Sequence, residues 1–149
     1  MEYRVICVVL LSFLGYASSE QVKYLDCGSV QGAVIGVDIQ PCPQQPCKLH
    51  KGQSYTVNVT FSSNVVSQTS KAIVHGEIAR VPVPFPIPID DGCKSGIQCP
   101  IKEKLTYSYV NQLPVKSVYP EIRLVVKWEL RDDLSKDLFC IRFPVEIVS

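Results

Sequence analysis

The sequence predicts an all-β domain, a sandwich of two antiparallel sheets. Three observations carry this. Apolar and polar residues alternate with a period of two wherever a pattern is clear. No segment carries a sustained apolar stripe at helical spacing. Short apolar runs recur between breaks rich in Pro, Gly and Asp, and the chain holds 11 prolines and 8 glycines in 149 residues. Strands at such spacing suit an immunoglobulin-like architecture, with a closed barrel as the alternative that alternation alone does not separate from it.

Met1–Arg4 precede the apolar run Val5–Leu14, and Ala17-Ser18-Ser19 place small residues where a signal peptidase reads them. Residues 1–19 therefore read as a secretory leader, leaving 20–149 as a single domain. The apolar run is well short of the roughly 20 residues a bilayer-spanning helix needs. Next, Val30–Ile39 reads as a strand pair or one bent strand, with Gly32 and Gly36 permitting bulges. In Tyr55–Phe61 the odd positions are apolar or aromatic. Ala72, Val74, Gly76 and Ile78 alternate, as do Leu105, Tyr107 and Tyr109. In Ile122–Leu130 the even positions face a core, and Phe139, Ile141, Phe143, Val145 and Ile147 alternate to the end.

Beyond the leader, with its Cys7, stand Cys27, Cys42, Cys47, Cys93, Cys99 and Cys140. An even count behind a leader reads as three disulfides, for which there are about 15 pairings. Cys42/Cys47 and Cys93/Cys99 stand out as close pairs among loop-forming residues, leaving Cys27 and Cys140. Neither close pair has the two-residue gap of a zinc knuckle, so no metal is expected. The sequon Asn58-Val59-Thr60 puts Asn58 on the polar side of its strand, an expected glycosylation site.

Two stretches call for a further explanation. Val81–Ile89 carries proline at every second residue, which no central strand tolerates. It reads either as an edge strand guarded by proline or as a stiff apolar lip beside a ligand cavity. Tyr109–Pro120 reads as a loop whose apolar and aromatic residues could line the same opening.

Formal charge is +1, with 15 basic and 14 acidic residues, against any nucleic-acid binder working through a broad basic face. Nucleophile elbows, Walker loops and dinucleotide glycine patterns are absent from the sequence, so no enzyme and no cofactor are expected. The carboxylate pairs Asp90-Asp91 and Asp132-Asp133 read as solvated turn residues. Protonation of His50 and His75 in an acidic compartment would raise the formal charge to +3 and favour transient contact with anionic membranes.

Several stretches taken together resemble sterol-carrying members of the lipid-recognition (MD-2-related) family. They include Asp26–Ser29, Pro41–Pro43, Gln45–Tyr55, Val81–Pro88, Asp91–Ile97, Cys99-Pro100, Tyr109–Asn111, Leu113–Lys116 and Trp128–Leu130. The resemblance implies an immunoglobulin-like sandwich with disulfides Cys27–Cys140, Cys42–Cys47 and Cys93–Cys99, and an apolar cavity between the sheets; a monomer is the default expectation. It implies a secreted carrier of the lysosome lumen that takes cholesterol or a related sterol tail first and delivers it to a lysosomal membrane sterol transporter. A glycan on Asn58 would route it there. Phe85, Val115 and Tyr119 match the family's key sterol contacts, with Val83, Pro120, Leu124, Val126, Trp128, Ile141 and Phe143 as supporting walls. Ile141 stands where mammalian members have Trp, and Glu77 and Arg80 interrupt a region more apolar in those members. The alternative reading is a secreted module of the same sandwich that presents a lipid or recognises a protein.

Overall fold

The computed structural model describes residues 21–149, so the expected leader at 1–19 lies outside the described residues. Nine strands follow in order: β1 Leu25–Asp26, β2 Gly32–Gln40, β3 Cys47–His50, β4 Ser54–Ser63, β5 Lys71–Ile78, β6 Val81–Pro84, β7 Thr106–Pro114, β8 Arg123–Arg131 and β9 Asp137–Val148. A 3₁₀ turn, Gly92–Lys94, is capped by Asp91, whose carboxylate accepts from the Cys93 amide. Three strands form one sheet, in the order β2-β4-β7. Six form the other, running β1-β9-β8-β5-β6, with β3 also paired to β9. All pairs are antiparallel except β3 with β9. Among the described residues both sheets keep free edges, so the architecture is the sandwich and not the barrel.

Alternation places the core. Along β4 the odd residues Tyr55, Val57, Val59 and Phe61 are buried, while Thr56, Asn58 and Thr60 face outward. On β8 the even residues Leu124, Val126, Trp128 and Leu130 point inward, and β9 contributes Phe139, Ile141, Phe143, Val145 and Ile147. Phe61, Phe139, Tyr109 and Trp128 pack in edge-to-face succession, with ring centroids 5.3, 5.5 and 6.0 Å apart, and fill one half of the sandwich. Such pairs add to the area they bury.

Four local readings are refined. Val30–Ile39 is one bent strand: the pairing of β2 with β4 shifts register between Val34 and Gly36, ejecting Ile35 as a bulge. Val30 lies before that strand and is exposed. Leu105 is also exposed and precedes β7. The loop expected at Tyr109–Pro120 is a loop only from Val115. Tyr109–Pro114 completes β7, with Tyr109, Asn111 and Leu113 buried in alternation. The polar Asn111 at an inward position disguised the strand; its amide donates to the Ile89 carbonyl at 2.7 Å and to the Tyr109 hydroxyl at 2.9 Å, which satisfies it in the core.

Val81–Pro84 is the edge strand, paired only to β5. The Phe85 amide donates to the Val74 carbonyl at 3.0 Å. By strand parity, Val81, Val83 and Phe85 turn their amides toward β5, and Pro82 and Pro84 stand where an amide would face the open edge. The prolines remove the donors that would recruit another strand. The three disulfides pair Cys27 with Cys140, Cys42 with Cys47 and Cys93 with Cys99, at Cα separations of 5.0, 5.1 and 5.6 Å.

Candidate ligand cavity

At the end of the sandwich away from the aromatic cluster, the six-stranded sheet and the loop after β7 bound a cavity of about 100 Å³. Its walls come from β5 (Gly76, Ile78), the proline lip (Val83, Pro84, Phe85), the loop after β7 (Tyr119, Pro120, Ile122), β8 (Leu124) and β9 (Ile147). Apart from the Tyr119 hydroxyl, every side-chain atom of these residues is hydrocarbon.

Gly76 keeps this space open. It sits on β5 opposite Val126 of β8 and faces inward, where a β-carbon would lie 2.8 Å from Leu124 Cδ1 and 3.4 Å from Phe85 Cδ2. Phe85 and Tyr119 close the cavity from opposite sides, edge to face, with centroids 5.3 Å apart. Phe85 is only 6% exposed, although its neighbours along the lip are open to solvent. The Tyr119 hydroxyl is buried without a hydrogen-bond partner among the described residues, and burial raises its pKa above the usual phenol value. Val81, Val83 and Val118 are exposed around the mouth.

Of the residues expected to touch a ligand, Val83, Phe85, Tyr119, Pro120 and Leu124 line this cavity. Val115, Val126, Trp128, Ile141 and Phe143 lie in the packed core, each at most 2% exposed. Trp128 is tied there through its indole N–H, which donates to the Tyr109 hydroxyl at 3.1 Å. Burial pushes the Tyr109 phenol up to about 12, so it stays protonated and neutral. Gly76, Ile78, Pro84, Ile122 and Ile147 also line the cavity. Apart from exposed Pro84 on β6, their inward positions are readable from the alternation of Ala72–Ile78, Ile122–Leu130 and Phe139–Ile147, but that alternation does not tell a cavity wall from a filled core.

The remaining polar groups serve the fold. Asp133 accepts from the amides of Gln68 and Thr69 and from the Thr69 hydroxyl, at 2.6–2.9 Å, which hold its carboxyl below the usual range. Asp132 accepts from the amides of Leu134 and Lys136. His50 Nδ1 lies 3.1 Å from the Ser149 carbonyl, and His75 faces outward opposite Pro84 and Lys127. Asn58 sits on the outer face of the three-stranded sheet between Asp38 and Val110. Glu129, Asp137 and Cys140 gather within 4.8 Å, but Cys140 is held in a disulfide and is no thiolate ligand. Chemically, the cavity can hide an apolar surface from water and offer one phenolic hydroxyl.

Residues 21–147 match the ML domain, and the chain belongs to that family. Among its relatives, NPC intracellular cholesterol transporter 2 of Danio rerio is 72% identical over the full length of both chains. The Bos taurus protein of the same name is 54% identical over 99% of each. The crystal structure of a Niemann-Pick type C2 protein from Japanese carpenter ant superposes with a TM-score of 0.79 at 28% identity, covering 85% of this chain and 99% of that one.

Proposed function

We propose that the protein is a non-enzymatic sterol carrier that takes up unesterified cholesterol tail first between its sheets and hands it to a membrane-bound sterol transporter. The observation that carries this reading is a cavity with hydrocarbon walls and an apolar lip, bounded by the six-stranded sheet and the loop after β7, in a chain 72% identical to a cholesterol transporter.

At about 100 Å³ the cavity is smaller than the roughly 300–1,000 Å³ of sites that enclose a small ligand. Uptake therefore opens it, with Phe85 and Tyr119 swinging apart over the edge strand β6. Widening this end leaves intact the aromatic cluster and the Trp128–Tyr109–Asn111 hydrogen bonds. Burying about 300–400 Å² of sterol returns about 8–10 kcal/mol before the costs of association and ordering. Exposed Val81, Val83 and Val118 rest transiently on an anionic membrane during exchange. Residues 1–19 direct the chain into the secretory lumen, a glycan on Asn58 routes it to the lysosome, and it works there as a monomer.

The test is displacement of a fluorescent sterol by cholesterol at pH 5 and pH 7. Wild type binds saturably. Phe85→Ala, folded by circular dichroism, weakens binding about tenfold, and Tyr119→Ser weakens it likewise. Gly76→Ala, whose methyl enters the cavity against Leu124 and Phe85, weakens it about threefold or more. Folded wild type that binds no sterol at either pH overturns the reading.

A further inference from the structure

A second concavity, of about 960 Å³, lies on the outer face of the six-stranded sheet. Its floor is formed by Val125 on β8 and Pro144 on β9, both at outward positions of their strands. One wall is the segment Lys23–Leu25 with Pro46, and the opposite wall is the turn Ala79-Arg80 between β5 and β6. We propose that this trough is a docking surface for an acidic, extended segment of a partner protein. The proposal rests on the carrier reading only in the consequence it draws for sterol release.

Charge selects the occupant. Lys23, Arg80, Arg123 and Arg142 line the trough against one carboxylate, Glu77, in a chain whose net charge is only +1. Arg142 Nε donates to Glu77 at 2.7 Å, and Arg123 Nε donates to Glu146 at 3.1 Å. Lys23 and Arg80 remain on opposite walls, neither within 4.0 Å of a carboxylate among the described residues. Two cationic walls over an apolar floor match a segment whose acidic side chains flank an apolar one. A planar anionic membrane meets such rims without reaching the floor, whereas an extended polypeptide reaches both.

The walls are built to hold their charges in place. Val22 is buried, the Lys23 amide donates to Gln45 Oε1 at 2.8 Å, and Gln45 Nε2 donates back to the Gln21 carbonyl at 3.2 Å. Pro46 lies inside the short loop closed by Cys42–Cys47. Across the trough, Ala79 and Arg80 both take positive φ, 50° and 69°, in a two-residue hairpin turn. Asn-Gly is the usual occupant of such a turn, because a β-carbon is disfavoured there. This chain places a long cation in it. The same hairpin supplies Ile78 to the cavity wall, so a segment drawn into the trough grips the lip that closes the mouth. Docking and sterol release are thereby coupled.

The variant Lys23→Glu/Arg80→Glu leaves the cavity untouched and tests this with vesicles of purified lysosomal membrane, native or shaved with protease. Co-sedimentation reads docking independently of sterol. Wild type pellets with native vesicles and releases at high salt, and the variant pellets at least fivefold less. Delivery of a fluorescent sterol to native vesicles slows at least fivefold in the variant, while delivery to shaved vesicles and sterol affinity are unchanged. Equal pelleting of wild type and variant overturns the proposal. Equal loss on native and shaved vesicles also overturns it, and assigns the trough to lipid headgroups. Wild type that pellets normally but binds no sterol leaves the docking surface standing and removes the carrier reading instead.

Discussion

Replacing Cys27 and Cys140 together by serine is expected to lower the unfolding free energy by about 5 kcal/mol and the melting temperature by roughly 15–20 °C. The bridge joins residues 113 apart, tying the segment before β2 to the first part of the last strand. In the chain-entropy account its worth grows with the logarithm of the loop it closes. The Cys42–Cys47 and Cys93–Cys99 bridges close separations of 5 and 6 residues, and the same account gives each about 2 kcal/mol. Hydrogen bonds hold the Cys27 segment as well. The Cys27 amide donates to the Cys140 carbonyl at 2.9 Å, and the Cys140 amide donates to Ser29 Oγ at 3.0 Å. These keep the native geometry when the sulfurs are gone, so the loss falls mainly on the unfolded chain, which gains conformations. Urea unfolding of the double variant, compared with the corresponding Cys42/Cys47 double variant, checks this. A loss no larger than that of the short loop would show that residual order in the unfolded state already supplies the closure.

The two-sheet sandwich was legible because one face of each long strand is buried and the other is wet. That condition makes β4, β8 and β9 read as alternation, and it failed where a polar residue pointed inward. Asn111 belongs to the core through bonds to Ile89 and Tyr109 that lie 22 and 2 residues away, and only the assembled fold displays the first of them. Glu129 is a different surprise, a charged residue only 5% exposed on the outward side of β8, where it is covered beside Asp137 and Cys140. At the site, the proline rhythm of Val81–Ile89 announced a stiff apolar edge from sequence alone. Phe85 and Tyr119 were singled out by resemblance. What makes a cavity there is the missing side chain of Gly76, and an absence facing Leu124 and Phe85 across two strands has no local signature. The outer trough was equally hidden, since Lys23, Arg80, Arg123 and Arg142 converge from four separate parts of the chain.

Glu129 and its surroundings predict a stability that falls as pH rises from 5 to 8, by on the order of 2 kcal/mol after allowing for screening by nearby water. The Glu129 carboxylate lies beneath the Cys27–Cys140 bridge, with Arg131 Nη2 at 3.2 Å and Lys127 Nζ at 3.8 Å. Asp137 shares the site, and its Oδ1 is buried without a hydrogen-bond partner among the described residues, with Arg131 Nε 3.7 Å away. Burial, together with the hydrogen bond and negative charge of Glu129, pushes the Asp137 carboxyl up to about 7, against the weaker pull of Arg131 and Lys127. Glu129 moves the other way. Burial alone would raise it, but the hydrogen bond from Asp137 and the two cations hold it below the usual carboxylate range. The native state thus keeps a proton on Asp137 between about pH 4 and pH 7 that the unfolded chain has released. The stability it contributes is complete below the ordinary carboxylate pKa and is lost as pH rises through about 7. Glu129 contributes in the opposite sense, with stability present above its unfolded value and lost only as pH falls through its depressed one. Between these limits stability is greatest in mild acid, the condition of the lumen in which the proposed carrier works. Asp137→Asn replaces the shared proton by a permanent amide donor to Glu129. It should therefore unfold like wild type near pH 4, outlast it by at least on the order of 2 kcal/mol at pH 8, and lose most of the slope between. Wild-type stability that is level from pH 5 to pH 8, or an Asp137→Asn variant that keeps the full slope, would mean that both carboxylates are ionised in the native state and that Arg131 and Lys127 alone hold them together.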